Sequence, residues 1–224
     1  MNKYFSPGCA LSLYKPELAE KTELLINRFE KIPYINCCCR INPELPDKTG
    51  KSVIINVCPG CDWRFSRLYE GIGTITLWEY LADKDIPLPD YGGRVMAVHD
   101  SCSVRGKETV YDAVRTLLRR MNITVAETEC NRAKSICCGS SMYKKVSKEE
   151  LKMISRKRTE SMPAEETAVY CVSCMKYLHN GGGGKARHII DLLFGEESAP
   201  EPSDPEVWQT KISEYIKKAV KFSP

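Results

Sequence analysis

A chain of 224 residues with 42% hydrophobic and 28% charged side chains can bury one large core or two smaller ones, which excludes a disordered chain. Its net charge of +4 is spread along the sequence, so nucleic acid binding is not expected. Met1 to Ser6 carries no apolar leader and no apolar run reaches the roughly 20 residues that cross a bilayer. The twelve cysteines therefore read as those of a cytoplasmic protein without membrane insertion, not as a secreted disulfide framework.

Tyr4-Phe5-Ser6 reads as a short strand entering a tight Pro7-Gly8-Cys9 loop. Over residues 16–30, Leu18, Leu24, Leu25, Ile26 and Phe29 recur among Glu and Lys as the apolar side of a helix. Tyr34-Ile35-Asn36 suits a strand end before Cys37-Cys38-Cys39, and residues 42–51 form a polar loop. Val53-Ile54-Ile55-Asn56-Val57 is the β-branched run of a strand covered on both faces. It delivers Cys58-Pro59-Gly60-Cys61 onto a strand-to-helix turn, where amides and the helix dipole favour anions. Helices are expected over 62–69 and 77–82.

A second unit opens with Arg94-Val95-Met96-Ala97-Val98 and runs into His99-Asp100-Ser101-Cys102. Helix 110–121 and strand Ile123-Thr124-Val125 follow, then a loop into Cys137-Cys138-Gly139. A charged helix spans 148–161, and Ala168-Val169-Tyr170 is the strand that delivers Cys171-Val172-Ser173-Cys174. Residues 180–184 are a flexible break, after which Ile189, Leu192 and Leu193 mirror residues 77–81. Residues 196–205 read as a loose linker. Asp204-Pro205 then starts a helix with Val207, Trp208, Ile212, Tyr215, Ile216 and Val220 on one face, which either packs on the core or engages a partner.

Ten of the twelve cysteines fit two copies of one template: a single cysteine, an adjacent pair and a Cys-x-x-Cys. An internal repeat implies two related units. Thiolates in such numbers select iron–sulfur clusters or zinc. Zinc asks for four ligands in short knuckles, whereas adjacent cysteines diverge and reach two metal ions more readily than one, which favours a polynuclear centre. The bacterial ferredoxin run is absent, and a thioredoxin-like dithiol does not account for three further cysteines per copy. Cys130 fits neither copy and reads as an ordinary thiol. His99 and Asp100 read equally as groups tuning the centre and as a satisfied His beside a loop cap. His179 and His188 read as structural or exposed, and Arg40 and Arg105 as surface cations or as compensation for cluster charge.

Cys102, Cys137-Cys138-Gly139 and Cys171-x-x-Cys174, with His99-Asp100-Ser101 and Arg105, resemble the cysteine-rich CCG domain found in the heterodisulfide reductases. They are similar also to iron–sulfur subunits of glycolate, lactate and glycerol-3-phosphate oxidation, and the resemblance runs over residues 1 to about 194. It implies a noncubane [4Fe-4S] cluster held by five cysteines in each unit, the two clusters flanking a disulfide that is reduced to thiols. Cys102, Cys137, Cys138, Cys171 and Cys174 would hold one cluster, and Cys9, two of the triple, Cys58 and Cys61 the other. Cys38 and Cys39 are taken as that pair, which sets Arg40 beside the centre and leaves Cys37 over; the pair Cys37-Cys38 would put Cys39 where the second copy has Gly139. Shorter loops and the missing glycine leave room for zinc or a cubane cluster in the first copy.

These readings give an α/β protein of two pseudo-symmetric repeats, 1–92 and 93–194, each a small mostly parallel sheet with helices, followed by a linker and helix over 195–224. Metal centres are expected at the C-terminal strand ends. With no flavin or nicotinamide fingerprint, electrons are expected from an iron–sulfur or flavoprotein partner. The function expected is an iron–sulfur redox subunit that reduces a disulfide. The alternatives are a pure electron-transfer subunit of a dehydrogenase and a structural zinc module.

Overall fold

Each half of the chain begins with an apolar strand that ends at a cysteine-bearing loop. The computed structural model describes residues 2–35, 39–40, 52–68, 70–182 and 184–221. The first half runs β1 (Asn2–Ser6), α1 (Gly8–Tyr14), α2 (Pro16–Asn27), β2 (Ser52–Asn56), α3 (Pro59–Leu68), β3 (Ile72–Thr76) and α4 (Leu77–Leu81). The second runs β4 (Arg94–His99), α5 (Glu108–Arg120), β5 (Ile123–Ala126), α6 (Lys148–Glu160), β6 (Glu166–Val169), α7 (Val172–Asn180), β7 (Lys185–His188) and α8 (Ile189–Leu193). Helix α9 (Pro205–Lys221) follows.

The strands form two sheets, ordered β1-β2-β3 and β5-β4-β6-β7, with every pairing parallel. The order β1-β2-β3 recurs as β4-β6-β7, and β5 is an extra edge strand. This is the expected α/β architecture of two related parallel sheets. Register aligns the strand ends: Ser6, Asn56 and Thr76 share a row in the first sheet, as His99, Val169 and His188 do in the second. Both Cys-x-x-Cys turns leave the row at its centre, from β2 into α3 and from β6 into α7. The short helices after the outer strands are capped alike. Thr76 closes a capping box with Glu79 on α4, and His188 Nδ1 accepts the Ile190 amide on α8.

Ile54 and Ile55 are both fully buried, as a doubly covered strand requires. One apolar core runs through both sheets, joining Phe5, Ile55, Leu77 and Trp78 to Val98, Val114, Ile189 and Leu192. Strands β3 and β7 and helix α1 lie outside the expected elements. The two strands are edges whose residues are largely polar or glycine, and α1 is a seven-residue helix without a side-chain cap. Tyr34 makes a single parallel bridge to Phe5. The loop expected over 42–51 lies outside the described residues.

Helix α9 packs on the body of the protein, with Trp208 and Ile212 buried beside α1 and α7. The stretch expected to be a loose linker is tied down instead. Buried Lys176 donates to the carbonyls of Pro200, Glu201 and Pro202, Ser198 donates to Asp191 at 2.7 Å, and Glu196 pairs with Lys15 and Lys21. A polar composition hid these bonds because they depend on lysines far away in sequence. Among the described residues no helix is long and apolar enough to cross a membrane.

Candidate metal centre

The two Cys-x-x-Cys turns meet. The Cys171 thiol hydrogen-bonds Cys58 across the boundary between the halves, and from this junction sulfur contacts extend in both directions. One arm runs from Cys58 to Cys61 and Cys39; the other runs from Cys171 through Cys174, Cys138 and Cys137 to Cys102. Cys138 Sγ and Cys174 Sγ lie 3.3 Å apart. Cys39, Cys61, Cys138, Cys171 and Cys174 are buried, and none of the ten described cysteines is in a disulfide. Cys39, Cys58 and Cys61 of the first set thus adjoin the second set through Cys171.

Eight adjoining sulfurs cannot all be anionic without a cation among them. Cys58 is held well below the ordinary thiol range by hydrogen bonds from Cys171 and Cys61 and from the amides of Cys61 and Gly60. Cys137 is pushed down in the same way by Cys102 and Cys138, with Ser141 adding a bond. Their neighbours move up: Cys61 by its bonds to Cys39 and Cys58, Cys102 by its bond to Cys137, and Cys138 to about 12, chiefly by Cys137. Two thiolates, Cys58 and Cys137, set among thiols are a donor set that a metal cation would draw together.

Local geometry explains the small residues. Gly139 has φ +106°, and a Cβ there would come within 2.9 Å of Ser155 Oγ. Ser155 Oγ in turn donates to the Cys138 carbonyl at 2.8 Å, which seats the pair on α6. Gly8 has φ +72°, and a Cβ there would meet Cys61 Sγ at 3.0 Å. Cys9, expected with the first group, packs against the apolar cluster that contains Cys138, Cys171 and Cys174 of the second. Cys37 and Cys38 lie outside the described residues. Cys130 is apart from the row; its carbonyl accepts from Arg158 Nη2 at 3.2 Å.

Asp100 is the bracket of the second site. Its fully buried carboxylate accepts Arg115 Nη1 and Nη2 at 3.1 and 2.9 Å, the Arg132 amide at 2.7 Å and the Tyr170 hydroxyl at 3.3 Å. Ser135 Oγ donates to the Asp100 carbonyl at 2.6 Å, and Arg105 to the Ser135 carbonyl at 2.7 Å. These bonds tie the Cys102 loop to the segment that carries Cys137 and Cys138. Asp100 is therefore the structural member of the His99-Asp100 pair.

His99 points inward. One of its ring nitrogens lies with the sulfurs of Cys138 and Cys174 in a group whose atoms are all within 4.8 Å of one another. Its Nδ1 accepts Arg158 Nε at 3.1 Å, while the buried Nε2 has no hydrogen-bond partner. Burial, helped by the Arg158 charge, lowers its pKa to about 3 and keeps the ring neutral. His188 caps α8 and His179 faces Glu201, as expected of structural histidines. Arg40 is exposed.

Sequence reasoning missed Arg158, because α6 reads as a charged surface helix. It is 1% exposed and bonds His99, Ser135 Oγ and the Cys130 carbonyl. The signal was its spacing: Leu151, Ser155 and Arg158 recur on one helical face. Buried soft donors, coupled thiols and thiolates and an unpartnered ring nitrogen fit a metal or iron–sulfur centre.

No curated protein matches the chain. The family model of the cysteine-rich domain CCG matches residues 96–178, which carry Cys102, Cys137, Cys138, Cys171, Cys174 and the Asp100 bracket. Residues 96–178 are thus similar to a CCG cysteine-rich domain, and their clustered cysteines suit metal or iron–sulfur binding.

Proposed function

We propose that the chain is an iron–sulfur redox subunit resembling the CCG-domain component of the heterodisulfide reductases. In this reading Cys102, Cys137, Cys138, Cys171 and Cys174 hold one noncubane [4Fe-4S] cluster, and Cys9, Cys38, Cys39, Cys58 and Cys61 hold a second. Such clusters supply one-electron redox chemistry, and a partner iron–sulfur or flavoprotein supplies the electrons. A disulfide that takes up two electrons and two protons leaves as two thiols. What supports this reading is the single row of sulfurs joined at Cys58 and Cys171, which gives both centres a shared edge.

The protein's own residues shape the site rather than react. Asp100, Arg115 and Tyr170 fix the loops, and Asp62, buried and paired with Lys107, anchors the first Cys-x-x-Cys to the second half. A mononuclear zinc ion on His99, Cys138 and Cys174 would leave the adjoining sulfurs of Cys137 and Cys102 unused.

A second reading, an electron relay without substrate, is favoured by the direct Cys58–Cys171 contact, which leaves no gap between the two turns. Chemically varied small disulfides added to the anaerobically reduced protein separate the two. Rapid reoxidation with stoichiometric thiol release supports disulfide reduction; no reoxidation with any of them supports the relay.

A further inference from the structure

We infer that His99 is a positioning residue which gives an Nε2–H hydrogen bond to the sulfurs of Cys138 and Cys174, its tautomer fixed by Arg158. The inference rests on the iron–sulfur reading above and deepens it.

A guanidinium has donors only, so the ring nitrogen facing Arg158 Nε at 3.1 Å must accept. A neutral imidazole that accepts at Nδ1 carries its proton at Nε2. That N–H is buried and has no partner, and a buried donor left unmet is costly. One ring nitrogen of His99 and the sulfurs of Cys138 and Cys174 lie within 4.8 Å of one another, and a cysteine that ligates a metal is deprotonated, so its sulfur accepts. Ligation through Nε2 would instead require its lone pair. The proton would have to move to Nδ1, head-on against the Arg158 N–H.

Other candidates carry less. Cys130 is a lone cysteine. Buried Lys176 meets three carbonyls of the 196–205 stretch and acts as a strap. The cavity between α6 and α9, about 680 Å³ and lined by Tyr143, Lys148, Lys152 and Glu206, offers no buried polar group that selects a ligand.

An N–H bond to sulfur stabilises the more negative, reduced centre, so its removal must favour oxidation. The test uses the full chain purified anaerobically, with iron and sulfide measured on every sample, and a redox titration followed by EPR. His99→Leu is expected to retain iron and to shift the reduced-to-oxidised ratio about tenfold toward oxidised, which is about 59 mV for one electron. His99→Gln, which keeps an N–H, is expected to recover at least half of that shift. In wild-type protein with ¹⁵N-labelled histidine, pulsed EPR is expected to show a weakly coupled nitrogen and a proton coupling that vanishes in D₂O.

Unchanged potential in iron-replete His99→Leu would overturn the inference while leaving the cluster reading intact. A nitrogen coupling of the size of a coordinated ligand would overturn it in favour of ligation. Wild-type protein without iron and sulfide would overturn both. If the Leu variant loses iron, the wild-type D₂O experiment decides: a persistent or absent proton coupling counts against the bond.

Discussion

The two Cys-x-x-Cys turns are built alike but held differently. Cys171-Val172-Ser173-Cys174 is fastened from within its own half and by the last helix: Tyr170 reaches Asp100, and Ser173 Oγ accepts the Trp208 indole N–H at 2.9 Å. Cys58-Pro59-Gly60-Cys61 borrows its support, because buried Asp62 is paired with Lys107 of the second half as well as with Asn56. The side-chain bonds that fasten the second turn thus come from the second half and the last helix, whereas the first turn draws one from the second half. The family match follows the same division, since residues 96–178 contain the Asp100 network and exclude the first copy.

Substitutions at Asp100 break the comparison most strongly. Asp100→Ala strips Arg115 of its buried partner and frees the Arg132 and Tyr170 donors, with an expected cost of about 3–5 kcal/mol. Thermal unfolding should show it, and metal analysis should show both sites emptied. Trp208→Ala leaves a cavity behind α7 and should cost about 3 kcal/mol, read by chemical denaturation. Gly139→Ala forces a side chain into φ +106° against Ser155 and should cost about 1–3 kcal/mol, with metal lost preferentially from the second site.

Lys107→Met sharpens the contrast. It leaves the fully buried Asp62 carboxylate without its cation, a loss of about 1–3 kcal/mol, and should lower metal occupancy in the first site while sparing the second. Smallest of all, Trp208→Phe keeps the packing but removes the bond to Ser173 and should cost about 1 kcal/mol in the same denaturation assay.

Much of the fold was legible where apolar residues carry the signal. Val53 to Val57 read as a doubly covered strand, Arg94 to Val98 as a strand, and Leu117 and Leu118 as part of the apolar side of α5. Edges were not legible: β3 is Ile-Gly-Thr-Ile-Thr and β7 is Lys-Ala-Arg-His, and neither shows a strand's alternation of apolar residues. Spacing suggested two cysteine sets, but the meeting of Cys58 and Cys171 is a long-range packing result that no local pattern encodes. Arg158 and Lys176 were hidden for a related reason. Each is a cation on a helix, and only tertiary contacts reveal that it is buried. The expected pairing of Cys38 with Cys39 touches the structure only through Cys39, which is buried against Cys61.

The most direct test of the central claim is the iron and acid-labile sulfide content of the full chain purified without oxygen. The proposed function predicts enough of each for two four-iron clusters per chain. Zinc in place of iron, with no sulfide, would contradict it.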